Sequence, residues 1–264
     1  MAAVALITGA SGLIGSHVLR QWDVPGMRPV AVDRRTDDLL RPGAAAAVVR
    51  RLAPAVVVHL AWTASGTPGY RTDSANDTWV ESSLELAEAS RRSGAWLLAT
   101  GTPLDSGCGS TDAYSAAKAR LRGELQPAVD AGAITWLRPY YVVDPGRRRP
   151  ALVDEALAAR ATGARMSLRS PDAAHDFVHA SDVGAAIVLA IREDLRGEVP
   201  IGSGRLRRVC DLVSALGVAW HPEPQNPLTQ GPAPTPQHHE AADIGRLRQH
   251  GFEPSATEEM FDDG

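Results

Sequence analysis

Val4-Ala5-Leu6-Ile7-Thr8-Gly9-Ala10-Ser11-Gly12-Leu13-Ile14-Gly15-Ser16-His17-Val18-Leu19-Arg20 is the stretch that decides the fold. Its first five residues form an uninterrupted apolar run, the pattern of a strand buried on both faces in a parallel sheet. Gly9, Gly12 and Gly15 follow at once, and an amphipathic helix continues from Ser16. Glycines at this spacing allow a tight strand-to-helix turn, close backbone approach to a pyrophosphate, and close packing of helix on sheet. A helix N-terminus there offers N–H groups and the positive end of its dipole to phosphate. Strand, turn and helix in this order predict a dinucleotide site on Gly9, Ser11, Gly12, Leu13, Ile14 and Gly15.

Working outward, Pro29-Val30-Ala31-Val32 reads as a second strand ending at Asp33. A carboxylate there accepts hydrogen bonds from the adenosine ribose and repels a 2′-phosphate, which argues for NAD(H). Arg34 and Arg35 follow directly and suit that phosphate, so NADP(H) stays open. Residues 56–60, 96–99 and 134–137 read as further strands, and 76–93 and 111–129 as helices. This alternation predicts an α/β fold, a doubly wound parallel sheet of Rossmann type. Ligands then sit beyond the carboxyl ends of the strands, where Gly9, Asp33, Trp62, Thr102 and Tyr140 fall. The expected organisation is a dinucleotide-binding domain over 1–143, with 177–201 returning to it. A smaller substrate-binding portion is expected over 144–176 and 202–264.

The chain has 264 residues and a net charge of −4, with no basic run beyond Arg147-Arg148-Arg149. That balance gives no electrostatic case for nucleic acid or an anionic membrane. Only Cys108 and Cys210 occur, so neither a disulfide framework nor a paired metal spacing is expected. The first strand begins at Val4 and no apolar run approaches membrane-spanning length, so a cytoplasmic protein with no signal segment and no metal is expected.

Lys118 is the only lysine in a chain with 27 lysine and arginine residues. Arginine serves solubility and ion pairing, but it cannot supply a compact ammonium on a thin stem. Tyr114 lies four residues earlier, so on a helix the two share a face one turn apart. An ammonium beside a phenol favours the phenolate and lowers its pKa, which suits a tyrosine to proton transfer near neutrality. Taken alone, such a pair is equally met on ordinary helix surfaces.

These segments together resemble the extended short-chain dehydrogenase/reductases, the NAD-dependent epimerase/dehydratase family. The resemblance runs through Gly9 to Gly15, Asp38-Leu39, and Pro54-Ala55-Val56-Val57-Val58-His59-Leu60-Ala61. It continues in Leu137-Arg138-Pro139-Tyr140-Tyr141, Asp176-Phe177-Val178-His179, Ile201-Gly202-Ser203-Gly204 and Gly251-Phe252-Glu253-Pro254. It implies a catalytic set of Thr102, Tyr114 and Lys118, with Thr100 the competing hydroxyl. Thr102 serves equally as a strand-end cap. Cofactor contacts are implied at Asp33, Arg34, Asp38, Leu39, Leu60, Ala61, Trp62, Thr100, Tyr114, Lys118, Pro139 and Tyr140. Candidate substrate contacts are Trp62, Thr63, Thr102, Tyr141 and His175.

Departures from the family pattern narrow the reaction. Dehydratases of nucleotide sugars carry Asp-Glu after the catalytic threonine, and here Pro103-Leu104 stands there, neither able to move a proton. Trp79, Tyr141 and His175 replace residues that commonly contact nucleotide sugars in the family. Cys108 reads as a loop cysteine, and His175 and His179 as structural. The expectation is a reductase of a nucleotide-linked 4-keto-6-deoxysugar. The alternatives are a 4-epimerase that retains its NAD and a catalytically idle dinucleotide sensor. Residues 79–92 and 114–129 carry Val80, Leu84, Leu86, Ala87, Ala117, Leu121, Leu125 and Ala128, more apolar surface than packing on a sheet needs. A homodimer paired through these two helices, as the resemblance implies, is therefore expected.

Overall fold

Strand β1 (Ala3–Thr8) runs into α1 (Leu13–Arg20), and the chain returns through β2 (Met27–Ala31) at its side. Helix α2 (Ala44–Leu52) then crosses back to β3 (Val56–His59) on the other side of β1. From there the chain winds onward through α3 (Ala75–Ser93), β4 (Trp96–Thr100), α4 (Ala113–Asp130) and β5 (Ile134–Pro139). The computed structural model describes residues 2–32, 34–63, 69–106, 112–145, 152–223 and 240–255. Each expected strand and helix is present, with ends displaced by no more than three residues.

Short elements follow: β6 (Tyr141–Val143), α5 (Leu152–Thr162), β7 (Met166–Leu168), β8 (Ala174–His175) and β9 (Phe177–His179). Helix α6 (Ala180–Arg192) then packs against α1, and β10 (Gly197–Ile201) joins the sheet beside β5. The remaining elements are β11 (Arg207–Arg208), α7 (Val209–Ala215), β12 (Trp220–Pro222) and α8 (Gly245–Gln249). The central sheet has the order β10-β5-β4-β3-β1-β2, and every neighbouring pair in it is parallel. The molecule is a doubly wound parallel α/β fold.

Alternation along each strand divides the core into two layers. Ala5, Ile7, Val56, Val58, Leu98 and Leu137 face α1 and α6. Their neighbours Leu6, Val57, Leu97, Ala99 and Trp136 face α2, α3 and α4. A third cluster, with Val153, Leu168, Phe177, Leu212 and Val213, lies under the short elements. Asp176 sews that region to the sheet. Buried at 1% exposure, it accepts the Ser203 N–H and Oγ–H on one oxygen and the Gly204 and Ala242 N–H groups on the other. β9 pairs with β6 in a small parallel ladder of its own.

The order of winding positions the site. β1 and β3 are adjacent, yet the chain leaves them toward opposite edges, which opens a crevice above their carboxyl ends.

One sequence argument does not survive. Val80, Leu86, Ala87, Ala117, Leu121 and Leu125 are buried within one chain, and Leu84 and Ala128 are half-buried. The apolar surplus on α3 and α4 is used against the sheet and between the helices, so it is no argument for a dimer.

Candidate functional site

The turn after β1 is shaped by what glycine lacks. Gly9 has φ of +67°, and a Cβ there would lie 2.7 Å from Ala61 N and Leu60 C. β1 and the end of β3 therefore come together only because position 9 carries no side chain. At Gly15 an added Cβ would lie 2.7 Å from Ala10 Cα, so the first turn of α1 rests directly on the loop. Thr8 ties the same corner. Its hydroxyl accepts the N–H groups of Leu60 and Ala61, each at 3.2 Å, and meets His59 Nδ1 at 2.8 Å. His59 Nε2 meets Ser83 Oγ at 2.8 Å, and Ser83 donates to Trp79 O. The network assigns the Nε2–H tautomer, with Nδ1 accepting from Thr8. Burial, and then the Lys118 charge, lowers the His59 pKa to about 3, so the ring is neutral.

The crevice above this corner is a cleft of about 500 Å³. Gly9, Gly12, Leu13, Ile14 and Gly15 line one end, and Leu60, Trp62, Thr100, Pro139 and Tyr140 its walls. Thr102, Tyr114, Lys118 and Tyr141 line it as well, so the structure brings the expected cofactor turn and the Thr–Tyr–Lys set together. Seven expected contacts stand apart from it, Arg34, Asp38 and Leu39 on the side of β2 and four nearer the corner. Ser11 is exposed at the turn. Ala61 belongs to the Thr8 corner, Thr63 accepts from Trp79 Nε1 at 3.0 Å, and His175 lies behind Tyr141, ring on ring at 3.9 Å. Toward β2, Asp38 pairs with Arg34 at 3.8 Å and Arg41 at 3.9 Å, and Leu39 is buried in the core. Asp33 and Cys108 lie outside the described residues, as do residues 64–68 after Thr63.

The expected effect of Lys118 on Tyr114 is corrected. Lys118 Nζ donates to Thr100 O at 2.8 Å and lies 3.6 Å from the centre of the Trp62 ring. Its charge is directed at a carbonyl and an indole face, not at the phenol. Burial lowers the Lys118 pKa to about 7, against an opposing pull from Asp105. Tyr114 is half-buried as a residue and lines the cleft. Desolvation first, then Tyr70, pushes the phenol above its ordinary range, while a hydrogen bond with Thr102 pulls it back. The free protein thus holds Tyr114 as the neutral phenol.

Between the two candidate hydroxyls, geometry separates the roles. Thr100 Oγ1 donates to His59 O at 2.9 Å, inside the sheet, whereas the Thr102 side chain meets Tyr114. Thr102 is also a cap, as one reading of the sequence had it. Its N–H is taken by Asp105 Oδ2 at 2.9 Å, and its hydroxyl accepts weakly from Leu104 N at 3.4 Å. Thr102-Pro103-Leu104-Asp105 carries the acidic half of a capping box over a single 3₁₀ turn, a sequence signal that was open to reading.

Asp105 was not foreseen from the sequence. Its side chain is fully buried, and besides Thr102 N–H it accepts from Trp136 Nε1 at 3.1 Å and Arg138 Nη2 at 2.9 Å. Arg138 and Arg122 both continue to Glu198 on β10, at 3.0 and 2.7 Å. Tyr70 and Arg71, which also line the cleft, carry no motif and come from the approach to α3. Among the described residues no group of three acidic, histidine or cysteine side chains could hold a metal, and no helix is long and apolar enough to cross a membrane.

The sequence profile of the NAD dependent epimerase/dehydratase family matches residues 5–202, the sheet and the whole of this cleft's frame. This chain belongs to that family. Solved structures with the same fold include both epimerases and a reductase. UDP-glucose 4-epimerase from Thermotoga maritima, solved with UDP-glucose, is 21% identical at a TM-score of 0.77, over 98% of this chain and 96% of its own. The dTDP-4-dehydrorhamnose reductase from Bacillus anthracis, solved with NADP, is 14% identical at a TM-score of 0.77, over 99% and 97%. UDP-glucose 4-epimerase from Thermus thermophilus, solved with NAD, is 22% identical at 0.73, over 98% and 96%. No curated protein sequence matches the chain significantly. For this NAD dependent epimerase/dehydratase family protein, epimerases and a reductase thus stand at a similar structural distance, and the reaction has to be argued from the cleft.

Proposed function

We propose that this protein reduces the 4-keto group of a nucleotide-activated 6-deoxysugar with a nicotinamide dinucleotide. The observation that carries the reading is the wall beside Thr102. Pro103 and Leu104 line the cleft there, and no carboxylate, imidazole or thiol lines it among the described residues. Elimination of water needs a further acid and base on the substrate, and reduction needs only one proton donor.

The chain's own groups fit the dinucleotide. The missing Cβ atoms at Gly9 and Gly15 and the N-terminus of α1 make the cradle that a pyrophosphate requires. In this reading Gly9, Ser11, Gly12, Leu13, Ile14 and Gly15 hold the pyrophosphate, and Lys118 with Tyr114 the nicotinamide ribose. Asp33, Arg34, Asp38 and Leu39 serve the adenosine end, with NAD(H) favoured by Asp33. When bound, the cofactor supplies hydride. Tyr114, held as the phenol, gives its proton to the ketone oxygen, and Thr102 orients that oxygen. Lys118 keeps a cation under the ribose without ionising Tyr114. Tyr141, backed by His175, and Trp62 wall the sugar side, within a substrate-binding portion over 144–176 and 202–264. A homodimer through α3 and α4 remains part of the proposal, and light scattering of an active preparation decides it.

The decisive experiment is oxidation of NADH and NADPH by the purified protein across a panel of nucleotide 4-ketosugars. Turnover with a 4-keto-6-deoxysugar is expected. Tightly retained NAD with interconversion of C4 epimers, and no net NADH consumption, would replace the reading with an epimerase. Dinucleotide binding without either activity would leave a sensor.

A further inference from the structure

Thr102 stands in the cleft wall just past the last ladder pair of β4 and β5, Thr100 with Leu137. Both of its main-chain groups are nevertheless held. Its N–H donates to Asp105 Oδ2 at 2.9 Å, and its carbonyl accepts Asp105 N–H at 3.2 Å and Arg138 Nε at 3.4 Å. Asp105 is anchored from two further elements. From β5, Trp136 Nε1 donates to Oδ2 at 3.1 Å and Arg138 Nη2 to Oδ1 at 2.9 Å. From α4, one turn beyond Lys118, Arg122 Nη1 meets the same Oδ1 at 3.4 Å. Glu198 on β10 joins the two guanidinium groups, accepting from Arg138 at 3.0 Å and Arg122 at 2.7 Å. Room for the carboxylate is made at Gly101, where a Cβ would collide with Asp105 Oδ2 and Trp136 Nε1. The buried acid thus ties the turn that carries Thr102 to the helix that carries Tyr114 and Lys118.

We propose that Asp105 is a positioning residue for Thr102: it fixes the main chain of that residue against β5 and α4, so that the hydroxyl is presented to Tyr114 and to a ketone in the cleft. Once the N–H and the carbonyl of a residue are both held, the direction of its Cα–Cβ bond is set. Within its own turn the Thr102 hydroxyl accepts from Leu104 N at 3.4 Å, too long to direct it, and the side chain meets Tyr114. Thr102 N–H, Trp136 Nε1, Arg122 and Arg138 are all donors, so an amide nitrogen in place of a carboxylate oxygen faces a donor whichever way it turns. Bonds to an ionised acceptor are also the stronger ones, which suits a carboxylate to holding a turn. The proposal rests on Thr102 and Tyr114 acting together as in the reading above.

A double-mutant cycle of Asp105→Asn with Thr102→Ala tests this, with Asp105→Ser in its place should Asp105→Asn fail to fold. In the kinetic arm kcat of Asp105→Asn is expected to fall ~10²-fold, the loss that a misplacement of about 1 Å produces, with dinucleotide affinity near the parent's. In the Thr102→Ala background the same substitution should cost little further turnover. Losses that multiply independently overturn the proposal. A parallel loss of dinucleotide affinity assigns Asp105 to the scaffold alone and also overturns it. The second arm needs no turnover. The ¹³Cζ resonance of labelled tyrosine responds to the hydrogen bond of the phenol, and its loss in Tyr114→Phe assigns it. At neutral pH Thr102→Ala is expected to move the Tyr114 resonance in the parent and to move it less in Asp105→Asn. Comparison within each background cancels the Asp105 charge itself. No movement in the parent, or equal movement in both backgrounds, overturns the proposal. If the parent turns over no ketosugar, the functional reading fails while the NMR cycle still decides Asp105.

Discussion

The Lys118 ammonium rests on the face of Trp62, 3.6 Å from the ring centre, one helical turn from Tyr114. A cation over an indole gains on the order of 1–2 kcal/mol when desolvated. That gain, with the hydrogen bond to Thr100 O, explains how a 4%-exposed lysine is held in the cleft wall.

The contact makes Lys118→Arg a sharp test. A guanidinium is too broad to keep both the Thr100 carbonyl and the Trp62 face, so turnover and cofactor affinity are both expected to fall. Lys118→Met should also lose turnover but gain stability near neutral pH. The folded-state pKa of Lys118 is lowered to about 7 from 10.5, so the unfolded chain binds the extra proton between those values. Parent stability therefore rises with pH across that window, and the advantage of Lys118→Met shrinks as pH climbs. Melting temperatures of both proteins over the window measure it. A constant difference would contradict the buried charge.

Tyr114→Phe removes the proton donor while leaving the ring against Trp62 and Tyr70. Turnover is expected to fall ~10²–10⁴-fold, the range of general acid–base catalysis, with cofactor affinity close to the parent's. Steady-state kinetics with dinucleotide titration decides this. Undiminished turnover would exclude Tyr114 as the donor.

His59 is a neutral imidazole at the corner where β1 and β3 meet, with a pKa lowered to about 3 from 6.5. The unfolded chain takes up this proton first, so stability is lost as pH falls from 6.5 toward 3. The slope is about 1.4 kcal/mol per pH unit. Asn in its place keeps hydrogen-bonding ability and does not titrate. Denaturation of His59→Asn at falling pH should be flatter than the parent's, although the variant is weaker at neutrality. Parallel curves would show that the ring carries no such coupling.

Cofactor choice turns on Asp33 beside Arg34 and Arg35. Asp33→Ala is expected to weaken NADH binding and improve NADPH binding, because the carboxylate that repels a 2′-phosphate is gone. Fluorescence titration of parent and variant with both dinucleotides answers this. A parent that already prefers NADPH reverses the assignment.

The sequence by itself determined the sheet, its winding and the turn at Gly9, because each rests on local pattern. Apolar runs such as Val56 to His59 have one stable place in a doubly covered parallel sheet. Glycine at position 9 is the residue that tolerates both its φ and its neighbours. It also marked Tyr114 and Lys118, since residue type and spacing carry that information, and Thr102 through the family resemblance. Only the tertiary structure decided where the charges point. Lys118 and Tyr114 share a helix face, yet Trp62, from the end of β3, takes the ammonium, and Arg71, from the approach to α3, takes the helix start. Asp105, Arg138, Arg122 and Glu198 come from a 3₁₀ turn, two strands and one helix, with no common period in the chain. Electrostatic partners in a desolvated cleft are set by which segments the fold brings within a few ångströms, and sequence spacing records only those on the same element.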